Sequence, residues 1–266
     1  MIQIDLEEKE KALEYFYKSL EKAESNSGFI SSVLSKMLRY FDKKVVSDWC
    51  NSRLEKDPES VPANITMFRL HQQNNEHGKA VKYINKCLDS VDKSGKQWIS
   101  FANAKAMHLT GAYLRTSERR YLQQAIAAYE DILKVSPKNT DVMNNLAFLL
   151  ADNNERNEDA VKYARTAYES NPNDTNRMDT YAYALYRIGD YEKAKELLLS
   201  VIAIHEQRNT SADWGVHRHL AMTYQDLGKK AGAIKHYSKA LELAGNNINA
   251  TEKEQIKKEL DKLTGN

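Results

Sequence analysis

Between Pro137 and Pro172 the apolar positions recur every three or four residues in two blocks separated by a short polar break. The first block is T-D-V-M-N-N-L-A-F-L-L-A-D; the second is N-E-D-A-V-K-Y-A-R-T-A-Y-E-S, and Pro172 ends it. This period predicts two amphipathic helices joined by a turn. From Asn176 the pattern restarts as R-M-D-T-Y-A-Y-A-L-Y-R-I-G-D-Y-E-K-A-K-E-L-L. Close packing of such hairpins needs a small residue at one place in each second helix. Those places are Ala12, Val46, Ala80, Ala125, Ala160, Ala194 and Ala233, with successive gaps of 34, 34, 45, 35, 34 and 39 residues. A period of this size is the mark of a helical-hairpin solenoid.

Taken in order, the pattern predicts a leading half-repeat over 7–23, then hairpins over about 27–60, 61–94, 97–139, 140–174, 175–208 and 213–246. In the second unit Ile30, Val33, Leu34 and Met37 form the apolar stripe, answered by Val46, Trp49 and Cys50. The third carries Asp92 where a helix-stopping proline is expected, and the fourth is lengthened in both helices, Trp98–Arg115 and about Glu118–Val135. The connection after the sixth swells by five residues at H-E-Q-R-N-T-S-A-D. A last helix over 251–263 opens with Thr251-x-x-Glu254, a capping-box pattern, and its narrow stripe of Ile256, Leu260 and Leu263 suits a solvating cap. At the other end Leu6, Leu13, Tyr15 and Phe16 belong to a second helix with no first helix before it. That edge predicts a fragment of a longer protein, with fraying or self-association through Leu13 and Phe16.

Composition narrows the function classes. Ten glycines and four prolines in 266 residues argue against a sheet-and-turn fold. With 39 basic and 37 acidic residues interleaved, the net charge of +2 predicts no general attraction to nucleic acid or anionic lipid. No apolar run approaches the ~20 residues of a membrane span, and Ile2 to Glu10 carry no signal-peptide pattern. Cys50 and Cys87 fall at inward positions and build neither a disulfide framework nor a metal site. Gly78-Lys79 and Gly95-Lys96 lack the other residues of a phosphate loop. His205-Glu206 has Asn209 where a zinc-protease helix needs a second histidine, and His217 and His219 point to different faces of their helix. No catalytic set, cofactor or metal site is expected.

The hairpin period and its small-residue slots resemble the tetratricopeptide-repeat (TPR) proteins along essentially the whole chain. The resemblance implies an all-α fold, an α-α superhelix of six full hairpins with a leading half-repeat and a C-terminal capping helix. It also implies a concave surface lined by the first helix of each hairpin, and hence a non-catalytic scaffold that binds a peptide or protein partner. In that register Asp141, Asn144, Asn145 and Phe148 face the groove from one unit. Asn176, Asp179, Thr180, Tyr183, Tyr186 and Arg187 follow from the next, and Arg218, His219 and Met222 from the last. Amides both donate to and accept from peptide backbone, and tyrosines bring rigid area with a polar tip; Tyr183 and Tyr186 could equally pack between helices. The clamp that holds chaperone tails survives only in fragments, since its places hold Asn144, Phe148, Thr180, Gly215 and Arg218. N-N-L-A-F-L-L-A-D and D-T-Y-A-Y-A-L-Y-R-I-G-D-Y-E-K-A are also loosely similar to envelope TPR lipoproteins of bacterial exosortase and exopolysaccharide systems. That similarity implies a periplasmic or outer-membrane-associated scaffold, against a cytoplasmic one otherwise. A nucleic-acid-binding helical repeat is the other alternative and would require a basic groove.

Overall fold

The computed structural model describes residues 6–22, 27–245 and 250–265. Among them are fourteen helices and no strand. They fall into two compact units that meet in sequence at Pro137 and Lys138.

The first unit holds α1 (Leu6–Glu21), α2 (Ser27–Tyr40), α3 (Lys43–Lys56), α4 (Val61–Gln73), α5 (His77–Asp89), α6 (Lys96–Thr116) and α7 (Arg119–Val135). The second holds α8 (Thr140–Asp152), α9 (Asn157–Ser170), α10 (Thr175–Arg187), α11 (Tyr191–Gln207), α12 (Trp214–Asp226), α13 (Lys230–Ala244) and α14 (Ala250–Thr264). Within each unit the helices pack chiefly on their neighbours in sequence, and in the second unit the first helices α8 and α10 also touch.

Local chemistry explains where the helices turn. Asn75, Asn154, Gly189 and Gly228 close four hairpins in left-handed backbone. In each, the next backbone N–H reaches a carbonyl five residues back: Glu76 to His71, Glu155 to Leu150, Asp190 to Leu185 and Lys229 to Tyr224, at 2.8–3.0 Å. This satisfies carbonyls that a helix end otherwise leaves bare. Asparagine and glycine tolerate that backbone best. The new first helices are capped by side chains, Asn139 accepting from the Val142 N–H, Asp174 from Asn176 and Arg177, and Asp213 from Gly215. Pro58, Pro137 and Pro172 follow α3, α7 and α9 closely, where a further helical turn would clash.

The small slots behave as the period requires. Val46, Ala80, Ala125, Ala160, Ala194 and Ala233 are fully buried, and Ala12 is half-buried. Cys50 and Cys87 are buried free thiols, and burial pushes the Cys50 thiol up to about 12. The side chains of Leu6, Ile30 and Leu34 lie outside the described residues.

Three expectations need correction. Leu13 does not form an open edge: it is 2% exposed in a cluster with Met37, Val46, Cys50, Met67 and Leu70. Phe16 is half-buried, edge-on to Phe41 at 6.2 Å, so α1 turns its apolar face inward and leaves Tyr15 outside. The swelling after the sixth hairpin is divided, since His205 to Gln207 belong to α11 and residues 208–213 form the connection. The last helix begins at Ala250, so Thr251 sits inside its first turn and is not the cap.

Candidate partner-binding wall

In the second unit, α8, α10 and α12 present the faces that the sequence assigned to a groove. Asn144, Asn145 and Phe148 lie half-buried on α8; Asp179, Tyr186 and Arg187 on α10; and Arg218 and Met222 on α12. Two assigned residues sit deeper. Tyr183 is 1% exposed and His219 3%, so they support the wall from within and offer a ligand almost no area. Thr180 is buried as well. The reason is their place on the seam between first helices, where a ring finds neighbours on both sides.

That seam is a ladder of rings. Phe148 lies 6.3 Å from Tyr183, and Tyr183 stacks on His219 at 4.0 Å and 10°. Tyr186 continues the ladder 6.1 Å from Tyr183 and meets Tyr191 at 5.5 Å. Polar tips are tied off. The Tyr183 hydroxyl donates to Asp152 at 3.3 Å and the Tyr186 hydroxyl to Asp226 at 2.7 Å. His219 Nδ1 lies 2.9 Å from Asp179 Oδ1. Burial, and then the Asp152 carboxylate, push the Tyr183 hydroxyl up to about 12, while Arg218 and Arg187 pull it back. Tyr186 is raised by burial and by its bond to Asp226. Both hydroxyls therefore stay neutral donors at physiological pH.

Against this satisfied backing, some wall groups lack partners. Among the described residues, Asn144 Oδ1 and Arg187 Nε are buried without a hydrogen bond. The Arg187 guanidinium lies over the Tyr183 ring, 6.0 Å from its centroid. An unpaired buried polar atom costs about 1–3 kcal/mol, but neither atom is exposed, so a ligand reaches them only when these side chains turn outward.

The wall ends in a pocket of about 290 Å³ to which α14 contributes Gln255, Ile256 and Glu259. Tyr186, Arg218, Met222 and Tyr237 complete much of its lining. Tyr237 donates to Gln225 at 3.0 Å, and Gln225 donates to Glu259 at 3.0 Å, which links α13, α12 and α14.

Two assigned residues are at the margin. Asn176 is exposed in the first turn of α10, and Asp141 accepts from Arg177 Nη2 at 2.5 Å. Arg177, which the sequence did not single out, also donates to the Ala167 carbonyl at 3.0 Å, to Thr140 at 3.1 Å and to Ser170. Asp152 and Asp226 were missed too. The available signal was their shared place as the last residue of a first helix. Among the described residues no three His, Cys, Asp or Glu side chains are grouped to hold a metal ion. His217 and His219 do face opposite ways, toward His236 and Asp179.

The fold is an all-α stack of TPR-like helical hairpins. The tetratricopeptide-repeat description matches residues 118–175 and 214–247. The peroxisomal targeting signal receptor of Kluyveromyces lactis is 25% identical over 189 residues, which is 69% of this chain and 28% of that protein. The chain thus spans little more than a quarter of that relative. Among solved structures, the MamA RS-1 double mutant superposes with a TM-score of 0.54 at 12% identity, covering 70% of this chain and 96% of the other. YrrB, described as a TPR protein with an unusual peptide-binding site, gives 0.50 at 18% identity over 73% of this chain and 91% of its own. At such identities the likeness establishes the fold alone.

Proposed function

We propose that the chain is a non-catalytic interaction scaffold whose second unit holds a peptide segment of a partner protein against the α8–α10–α12 wall. The carrying observation is a face on which the amides of Asn144 and Asn145 and the guanidiniums of Arg187 and Arg218 lie half-buried over a rigid ring ladder. Peptide backbone supplies both complements, an N–H for the amide oxygen and a carbonyl for the guanidinium. The peptide-binding site named for YrrB and the receptor character of the Kluyveromyces lactis protein support the reading by analogy. The wall's charges are mixed, Arg187 and Arg218 among Asp179, Asp226 and Glu259, which suits a peptide and not a nucleic-acid backbone.

Several modest contacts of this kind give micromolar binding, about −8 kcal/mol. The test is to select peptides from a displayed library on the immobilised chain. Their affinities are then measured against Asn145→Ala and Arg218→Ala, with Lys162→Ala on exposed α9 as control. Each wall variant is expected to lose about 1–3 kcal/mol. Normal binding by both, with loss in the Lys162 variant, places the functional surface on the outer face and overturns the proposal. The narrower reading, a bacterial envelope scaffold, rests on the two quoted stretches of α8 and α10–α11. Recovery of the native protein in the soluble cytoplasmic fraction refutes it.

A further inference from the structure

On the other side of the last hairpin lies a second pocket, of about 390 Å³, walled by α11, α12 and α13 and the connection that follows α11. Two histidines form part of its lining. His217 on α12 and His236 on α13 are both more than nine-tenths buried, stacked at 5.2 Å and 17°, with their Nδ1 atoms 3.0 Å apart. Tyr224 stacks on His236 at 5.6 Å. A contact between two Nδ1 atoms at this distance requires one ring to donate and the other to accept.

Proton counting then sets what acid does. A first proton goes to Nε2 of the donor ring, and the imidazolium keeps donating to its neutral neighbour. A second proton must occupy the accepting Nδ1. Both rings then present N–H groups at the same contact, and two positive charges face each other inside the hairpin. The surroundings relieve this poorly. Asp213 is spent on capping Gly215, at 2.8 Å, and Glu242 is paired with Lys239 at 2.6 Å. Lys235 and Lys239 oppose further positive charge, and Glu206 on α11 favours it from the pocket lining.

We propose that the His217–His236 pair is an acid-opened latch, in which uptake of the second proton breaks the α12–α13 contact and loosens the last hairpin. Burial and the neighbouring imidazole hold His236 down to about 4, and burial lowers His217 as well, so the closed latch resists protonation. The open form takes up protons nearer the ordinary 6.5. Tyr237, the next residue on α13, ties α13 through Gln225 to α14 at the wall's end pocket. Opening the latch therefore reaches that pocket. This last effect matters only if the wall binds a partner, whereas the latch itself is independent of it.

The experiment is hydrogen exchange of the whole chain between about pH 7 and pH 5, corrected for intrinsic rates, with α8 and α9 as the internal reference. Protection in α12, α13 and α14 is expected to fall by about tenfold per pH unit for each proton taken up on opening. The His217→Gln/His236→Gln double variant, which can bridge the same gap without titrating, is expected to lose that dependence. A uniform fall across α8–α14, or an unchanged pH response in the double variant, overturns the latch. If the double variant does not fold, proton NMR of the wild-type imidazoles decides. Coupled titrations for His217 and His236 support the latch, and two independent ones near 6.5 refute it. Because no ligand is used, failure here leaves the peptide-binding proposal untouched, and the reverse holds too.

Discussion

Replacing Arg177 with alanine should loosen the junction between the hairpins α8–α9 and α10–α11. Arg177 belongs to the first turn of α10, yet its guanidinium reaches back to the preceding hairpin and is only 13% exposed. There it donates to the Ala167 carbonyl, one of the last four of α9, which also accepts from the Ser170 hydroxyl at 2.7 Å. A hydrogen bond from a charged donor to such a group is worth about 1.5–3 kcal/mol. The ion pair with Asp141 adds little, because that carboxylate is 83% exposed and rehydrates when the arginine is gone. The sum is about 2–3 kcal/mol for Arg177→Ala. Arg177→Lys should recover less than half, since one ammonium cannot span Thr140, Ala167, Ser170 and Asp141 as a planar fork does. Urea unfolding followed by hydrogen exchange in α8–α11 measures the loss. With a slope of about 2 kcal/mol/M the midpoint moves by about 1 M. Full rescue by lysine, or a cost below about 0.5 kcal/mol for alanine, refutes the reasoning.

Two further outcomes follow from burial. Gly232→Ala in α13 gains up to about 1 kcal/mol of helix propensity, but a Cβ there would stand 2.8 Å from Tyr224 Cγ, near the root of a ring held against His236. Overpacking costs about 1–3 kcal/mol, so a lower Tm is expected, and a higher one shows that the ring moves freely. In the first unit His108 is 2% exposed, with neither ring nitrogen partnered among the described residues. Burial first, then the charge of His77, hold it down to about 4 from 6.5. The unfolded chain therefore binds this proton first, so the contribution is complete above about pH 6.5 and is lost as pH falls toward 4, up to about 3 kcal/mol. Urea midpoints at pH 7 and pH 5 should show the loss, and His108→Leu should flatten it. An equal pH dependence in that variant refutes the assignment.

What the sequence determined by itself was the series of elements. All fourteen helices of the described residues were legible, because a 3.6-residue apolar period, capping side chains and turn residues are local properties. The slots from Val46 to Ala233 were legible for the same reason: close helix approach admits only small or compact side chains at one place per repeat. The side of α8, α10 and α12 that the sequence assigned to a groove was read from helical register.

Tertiary packing decided which residues on that side meet solvent. Tyr183 and His219 share the register of Arg187 and Arg218, yet ring stacking across helices draws the first two inside. Arg177 was not singled out from the sequence, because the carbonyl and two hydroxyls it binds come from the hairpin before it. The contact of His217 with His236, nineteen residues apart, depends on how α12 and α13 cross. Such contacts join residues that have no fixed spacing in the chain, so only the packed helices bring them together.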